Sequence, residues 1–169
     1  MLTVNPPFFY GPFAPGYTAP FESPVISTAN LSTMVLFYGI LFQDLPKNAR
    51  PFSPLGVDIR DVARALVAAI DSPPASKVGR KRILVSGEWV HPSQIIAWIE
   101  EDRPEVAKRL NQDVKNFAAG IRPVTDNSGL KEILGLEVTP WRKTIIDALD
   151  ALLEHEKYWK ERGLTPAYA

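Results

Sequence analysis

The sequence contains no cysteine, so disulfides, thiolate nucleophiles and cysteine-ligated zinc are all excluded. It has no surplus of either charge: 19 Lys and Arg balance 19 Asp and Glu over 169 residues. Nucleic acid is therefore not an expected partner, because phosphate binding requires an excess of cationic side chains. The longest apolar run, Leu31 to Phe42, is far short of the ~20 residues that span a bilayer. Met1-Leu2-Thr3-Val4-Asn5 carries neither a basic n-region nor an apolar h-region, so no signal peptide is read there and a soluble, cytoplasmic protein is expected.

Short functional motifs are missing as well. The ten glycines never form G-x-G-x-x-G or G-x-x-x-x-G-K, so the turn that brings helix N–H groups against a pyrophosphate is absent. No G-x-S-x-G elbow is present. No tyrosine has lysine four residues later: Tyr10, Tyr17, Tyr38 and Tyr158 are followed there by Ala14, Phe21, Phe42 and Arg162. The two histidines, His91 and His155, are too far apart in sequence to carry a metal-site spacing, and both read as surface residues, His155 because Glu154 and Glu156 flank it. No catalytic residue and no metal ligand is assigned.

What is present reads as an α/β pattern. Leu2-Thr3-Val4 resembles a buried strand ended by Pro6-Pro7. A buried parallel strand needs neighbours on both sides, so a preceding part of the fold is expected to be missing. Residues 8–24 read as a loop, with Phe8, Phe9, Tyr10, Phe13, Tyr17 and Phe21 set among prolines and glycines, suited to pin itself or to wall an apolar pocket. A buried helix is predicted over 28–42, then a loop over 45–54. Asp58 is placed to cap a helix ending near Ile70, with Val62, Leu66, Val67 and Ile70 as its inward stripe.

Residues 81–86 read as a strand closed by Gly87, and Pro92-Ser93 opens a helix with Ile95, Ile96 and Ile99 inward. A helical turn with Val106 and Leu110 follows Pro104, and Arg122-Pro123-Val124 fits an edge strand. Asn127 or Ser128 caps a short helix closed by Gly135. In the last helix Thr139 reads as the N-cap, Pro140 as N1 and Gly163 as the stop, with Trp141, Ile145, Leu149, Leu152 and Trp159 buried.

Four segments, in order, resemble the C-terminal half of the extended short-chain dehydrogenase/reductases. They are Asn5-Pro6-Pro7-Phe8-Phe9-Tyr10-Gly11-Pro12, Val57-Asp58-Ile59-Arg60-Asp61-Val62-Ala63, Arg82-Ile83-Leu84-Val85-Ser86-Gly87 and Leu134-Gly135-Leu136 followed by Thr139-Pro140. Leu2-Thr3-Val4-Asn5 and the later Phe13 resemble the dihydroflavonol, cinnamoyl-CoA and fungal ketone/aldehyde reductase branch rather than nucleotide-sugar epimerases.

The resemblance implies an incomplete Rossmann-like α/β domain lacking its glycine-rich nucleotide-binding half. Residues 1–26 would complete the Rossmann core and carry the aromatic loop, and 27–169 would form a substrate-binding lobe. It implies NADP(H) or NAD(H) as cofactor, with Pro6, Pro7, Phe8 and Ser27 toward it, and Phe9, Tyr10, Phe13 and Tyr17 toward a small apolar or aromatic carbonyl substrate. Arg60 and Asp61 would pair within the fold. The family's Ser, Tyr and Lys have no counterpart here, so the expected role is the substrate-binding part of an oxidoreductase, inactive alone. The alternative is a non-catalytic binding module, with self-association through an uncovered sheet edge.

Overall fold

A computed structural model of the chain describes residues 2–17, 22–42, 55–117, 121–165 and 167–168. The loop expected over 45–54 lies outside these residues, as does Phe21. The fold is a mixed α/β arrangement in which helices dominate and the strands are two or three residues long.

Strands β1 (Thr3–Asn5) and β5 (Arg82–Leu84) form one parallel pair, β2 (Phe8–Tyr10) and β4 (Gly56–Asp58) a second, and β3 (Val25–Ile26) and β6 (Ala167–Tyr168) a third. Parallel pairing requires crossovers, and helices supply them. Helix α1 (Thr28–Leu31) and α2 (Met34–Phe42) follow β3; α3 (Ile59–Ile70) leaves β4 directly; α4 (Ala75–Val78) precedes β5. After β5 come α5 (Pro92–Asp102), two 3-10 turns, α6 (Ser128–Leu134) and the long α7 (Trp141–Glu161).

The sequence reading of the helix ends holds in several places. Asp58 caps α3, its side chain accepting from the Arg60 N–H at 2.8 Å. Gly135 closes α6 in the left-handed conformation at φ 66°. The stripe of α7 from Trp141 to Trp159 is buried, as are Ile95, Ile96 and Ile99 of α5. Arg60 and Asp61 do pair within the fold, Arg60 with Asp58 and Asp147 and Asp61 with Arg64.

Other expectations are corrected. Phe8–Tyr10 is a strand, not loop, because β4 is available to pair with it in register. The helix expected over 28–42 breaks in two at Ser32, a non-glycine residue at φ 51°. Thr139 is not the cap of α7: the helix begins one residue later, behind Pro140. Thr139 instead gives its N–H and its hydroxyl to Asp61, at 2.5 and 2.9 Å. Residues 122–124 form no strand; Val124 stands in solvent with no partner strand for its ladder groups.

Two further corrections concern faces. Helix α3 turns Asp61 and Ala65 inward, and Val62 of the expected stripe is half-buried against the core, while Leu66, Val67 and Ile70 are 55%, 67% and 80% exposed. Docking through the Asp61–Thr139 hydrogen bonds fixes that rotation, overriding the apolar stripe. His155 is buried, 2% exposed, because it lies three residues after Leu152 and four before Trp159 on the inward face of α7. Its acidic neighbours in sequence point elsewhere on the helix.

The core divides in two. The larger part packs Tyr10, α1, α2, α5 and α7 around Phe37, Leu41, Ile96, Ile145 and Leu149. The smaller joins Val57, Ala65, Ile83, Val85 and Leu130 between the β1–β5 pair, α3 and α6.

Candidate functional site

The described cleft of most apolar character opens where β2 ends. Beyond Tyr10 the backbone turns at Gly11 with φ 138°, and a Cβ there would sit 3.1 Å from Ile59 Cγ2 and 3.4 Å from Asp58 Oδ1. Glycine is required by both conformation and space. Ala14-Pro15-Gly16-Tyr17 then forms a turn: the Tyr17 N–H donates to the Ala14 carbonyl at 3.0 Å, with proline second and Gly16 third at φ 79°. The turn returns the Tyr17 ring onto Phe13, stacked at 6.0 Å between centroids and 23° between planes. Phe13 also rests on His155 of α7, centroids 4.5 Å apart.

The opposite wall is the break between α1 and α2. Thr33 donates its hydroxyl to the Phe9 carbonyl at 2.5 Å, tying that break to β2. Asn30 Nδ2 donates to the Val25 carbonyl at 2.8 Å, and its own carbonyl accepts from the Tyr17 hydroxyl at 3.4 Å. Between these walls lies a cleft of about 280 Å³, lined by Phe9, Tyr10, Phe13, Tyr17, Asn30, Leu31, Ser32, Thr33, Met34 and Ile59 among others. That is close to the lower end of small-molecule sites, ~300 Å³.

All four residues expected to face a substrate, Phe9, Tyr10, Phe13 and Tyr17, therefore converge on one cavity. The four expected to face a cofactor do not. Pro6 and Pro7 occupy the crossing from β1 to β2, Phe8 opens β2 with its ring exposed, and Ser27 is half-buried beside the single turn of α1, its Oγ accepting from the Asn30 N–H at 3.4 Å. None of them lines the cleft. Leu31, Ser32, Thr33, Met34 and Ile59 were not singled out from the sequence. The polar pair Ser32-Thr33 inside an apolar stretch was the available signal for a helix break.

Burial pushes the Tyr10 phenol far above its ordinary value, so its hydroxyl keeps its proton at neutral pH. Tyr10 packs against Phe37 and edge-on against Trp141, with centroids 6.0 and 5.8 Å away.

Beneath the cleft, Asp58 anchors the structure. Its carboxylate accepts from Arg60 Nε and Nη2 at 2.8 and 2.6 Å and from the Thr144 hydroxyl at 2.9 Å. Arg60 Nη2 also reaches Asp147 at 2.6 Å. Burial by itself would raise the Asp58 pKa, but the hydrogen bonds from Arg60 and Thr144 hold it below the ordinary carboxylate value. Among the described residues no cluster of His, Asp and Glu is arranged to hold a metal ion, and no helix is long and apolar enough to cross a membrane.

This architecture is that of part of a Rossmann-like fold. No protein-family model and no curated protein matches the chain. Solved structures do. The yeast methylglyoxal/isovaleraldehyde reductase Gre2 complexed with NADPH superposes with a TM-score of 0.65 at 20% identity, over 92% of this chain and 43% of that one. Gre2 from Candida albicans in complex with NADPH gives 0.63 at 21%, over 91% and 44%. A reductase engineered to attenuate substrate inhibition in asymmetric catalysis gives 0.60 at 24%, over 90% and 43%. At these identities the likeness is one of fold. The chain spans under half the length of the structures it matches, in agreement with a resemblance to a C-terminal half.

Proposed function

We propose that the chain is the substrate-binding part of an NAD(P)H-dependent oxidoreductase acting on carbonyl or alcohol groups. The observation that carries this reading is the convergence of Phe9, Tyr10, Phe13 and Tyr17 on one apolar cleft, within a fold shared with NADPH-bound reductases. Small apolar or aromatic carbonyl compounds suit the cleft: its rings offer flat apolar walls, and the break between α1 and α2 offers a few polar atoms for orientation.

Pro6, Pro7 and Phe8 fit only the nicotinamide end of a cofactor, as an exposed ring beside two prolines presents an apolar platform and no phosphate cradle. NADP(H) or NAD(H), when bound, supplies the hydride. This chain's own residues bind and orient the carbonyl compound and exclude water around it. With no Ser, Tyr and Lys set of its own, the chain reduces nothing by itself, and we place it in the cytoplasm. The alternative of a non-catalytic interaction module is favoured by one feature, the exposed apolar side of α3.

Thermal melts with an aromatic aldehyde and with NADPH test the reading. A ligand that binds only the native state must raise its melting temperature. The aldehyde is expected to do so, and Phe13→Ala is expected to weaken its binding by roughly tenfold, the worth of one aromatic wall. An aldehyde that leaves the melt unmoved at saturating concentration sinks the proposal. NADPH raising the melt of this chain supports the nicotinamide assignment, and Phe8→Ala then reduces that rise.

A further inference from the structure

Helix α3 presents an apolar surface that its own fold leaves bare. Ala63, Leu66, Val67 and Ile70 are all exposed and share one face, opposite the buried Asp61 and Ala65. The patch is on the order of 300 Å², the size of the largest apolar patch on an ordinary monomer, which is often functional.

Its spacing is symmetric. Reading the helix from either end about the midpoint of Leu66 and Val67, residue 63 falls on 70 and 66 falls on 67. Two such helices laid antiparallel across a two-fold axis would therefore set Ala63 against Ile70 and Leu66 against Val67, and repeat each contact once.

The charges beside the stripe obey the same symmetry. At 100° per residue, Arg60, Arg64 and Asp71 lie on a single flank of α3. A two-fold axis in the contact plane brings that flank against its own copy. Asp71 of one helix then comes level with position 62 of the other, about 3 Å along the axis from both Arg60 and Arg64. The guanidinium groups of Arg60 and Arg64 are partly exposed even while paired with Asp58, Asp147 and Asp61. The acid at the C-terminal end of one helix thus meets the bases at the N-terminal half of the other. A parallel arrangement would instead set this flank against Val62 and Ala69 of the other copy, where the arginines meet no acid. The edge of β1 competes poorly, because a three-residue strand stopped by Pro6 and Pro7 exposes few ladder groups.

We infer that the bare face of α3 is an isologous contact at which two copies of this chain pair antiparallel. The contact is smaller than the ~800 Å² per partner of a stable complex, so the dimer is reversible and populated at high concentration.

Sedimentation velocity over two decades of concentration tests this. The wild-type sedimentation coefficient is expected to rise with concentration. Leu66→Glu is expected to weaken association by roughly 100-fold, because symmetry buries two unpaired carboxylates. Asp71→Arg is expected to weaken it about tenfold, through two exposed ion pairs. The sequence has no cysteine, so Val67→Cys provides one defined thiol, and mild oxidation is expected to give a covalent dimer. These side chains are exposed, and a circular dichroism spectrum checks that each variant keeps its fold. A wild-type chain that stays monomeric throughout overturns the inference and leaves the face to a different partner. A dimer indifferent to Leu66→Glu overturns it too, by placing the contact on another surface.

Discussion

The two cores of this chain are finished to different degrees. The larger, built from α1, α2, α5 and α7 around the end of β2, is closed: Phe37, Leu41, Ile96, Ile99, Ile145 and Leu149 are wholly buried. Among the described residues the smaller buries five and relies on eight half-buried ones, including Leu2, Val4 and Phe9. Its sheet is a single parallel pair, and all three residues of β1 are only half-covered. Parallel strands are stable when helices cover both faces and further strands cover the edges. The aromatic-lined cleft is thus built largely on the finished core, while the β1–β5 pair depends on that core for support.

The largest expected effect comes from removing the residue on which both regions rest. Trp141 belongs to the larger core, and its ring lies so close to Gly56 of β4 that a Cβ there would come within 2.4 Å of it. Trp141→Ala is expected to destabilise the chain by about 4 kcal/mol, the usual cost of deleting a large buried ring. The β4 segment is expected to lose hydrogen-exchange protection along with α7. Loss confined to α7 would show that the two cores fold independently and break the comparison.

A smaller effect is expected at Asp58, which ties β4 and α3 to α7 through Arg60, Thr144 and Asp147. Asp58→Ala removes the α3 cap and the acceptor of the buried Thr144 hydroxyl, while Arg60 keeps Asp147, for a loss of about 2 kcal/mol. The pH dependence carries a definite sign. The folded-state pKa of Asp58 is depressed, so its contribution is complete above the unfolded value of ~4 and disappears as pH falls through the lower folded value. Equilibrium unfolding of wild type and Asp58→Asn from pH 7 to pH 3 checks this, with the difference between them shrinking toward the acid end.

How much was legible from sequence cuts across this division. Local chemistry gave the α5 isoleucines and the α7 stripe of the finished core, and also the Asp58 cap and the Gly135 stop beside the smaller one, where short-range spacing places them. The four aromatic residues that share the cleft were picked out by the family resemblance, since aromatics among prolines and glycines pin a loop as readily as they wall a pocket. What escaped depended on partners distant in the chain. The rotation of α3 is fixed by Thr139, 78 residues away, so a pattern that assigns the most apolar face inward chose the wrong side. Phe8–Tyr10 becomes a strand only because Gly56–Asp58 lies beside it. The break at Ser32 is held by the Thr33 hydroxyl on Phe9, with no glycine or proline to announce it.

The smallest effect sharpens the comparison, because it touches one core and leaves the other alone. His155 belongs to the larger core, between the Phe13 and Trp159 rings, with Nδ1 2.8 Å from the Ala151 carbonyl. Burial lowers its pKa, against the smaller upward pulls of the Ala151 hydrogen bond and of Glu154. Glu156, the next residue, is itself engaged: it pairs with Arg109 and accepts from the Tyr38 hydroxyl. A neutral histidine in the folded state means that the unfolded chain takes up the proton first as pH falls below ~6.5. Stability is therefore expected to decline between pH 7 and pH 5, ahead of any carboxylate titration, and His155→Leu is expected to flatten that segment. The decline should be read in the exchange of α7 amides and in the mobility of the Phe13 loop, and not in β1 or β5. The other histidine, His91, caps α5 from a half-buried position, and His91→Asn keeps a cap there and serves as the control. If His91→Asn flattens the profile and His155→Leu does not, the histidine in the finished core is not the group that sets the pH response.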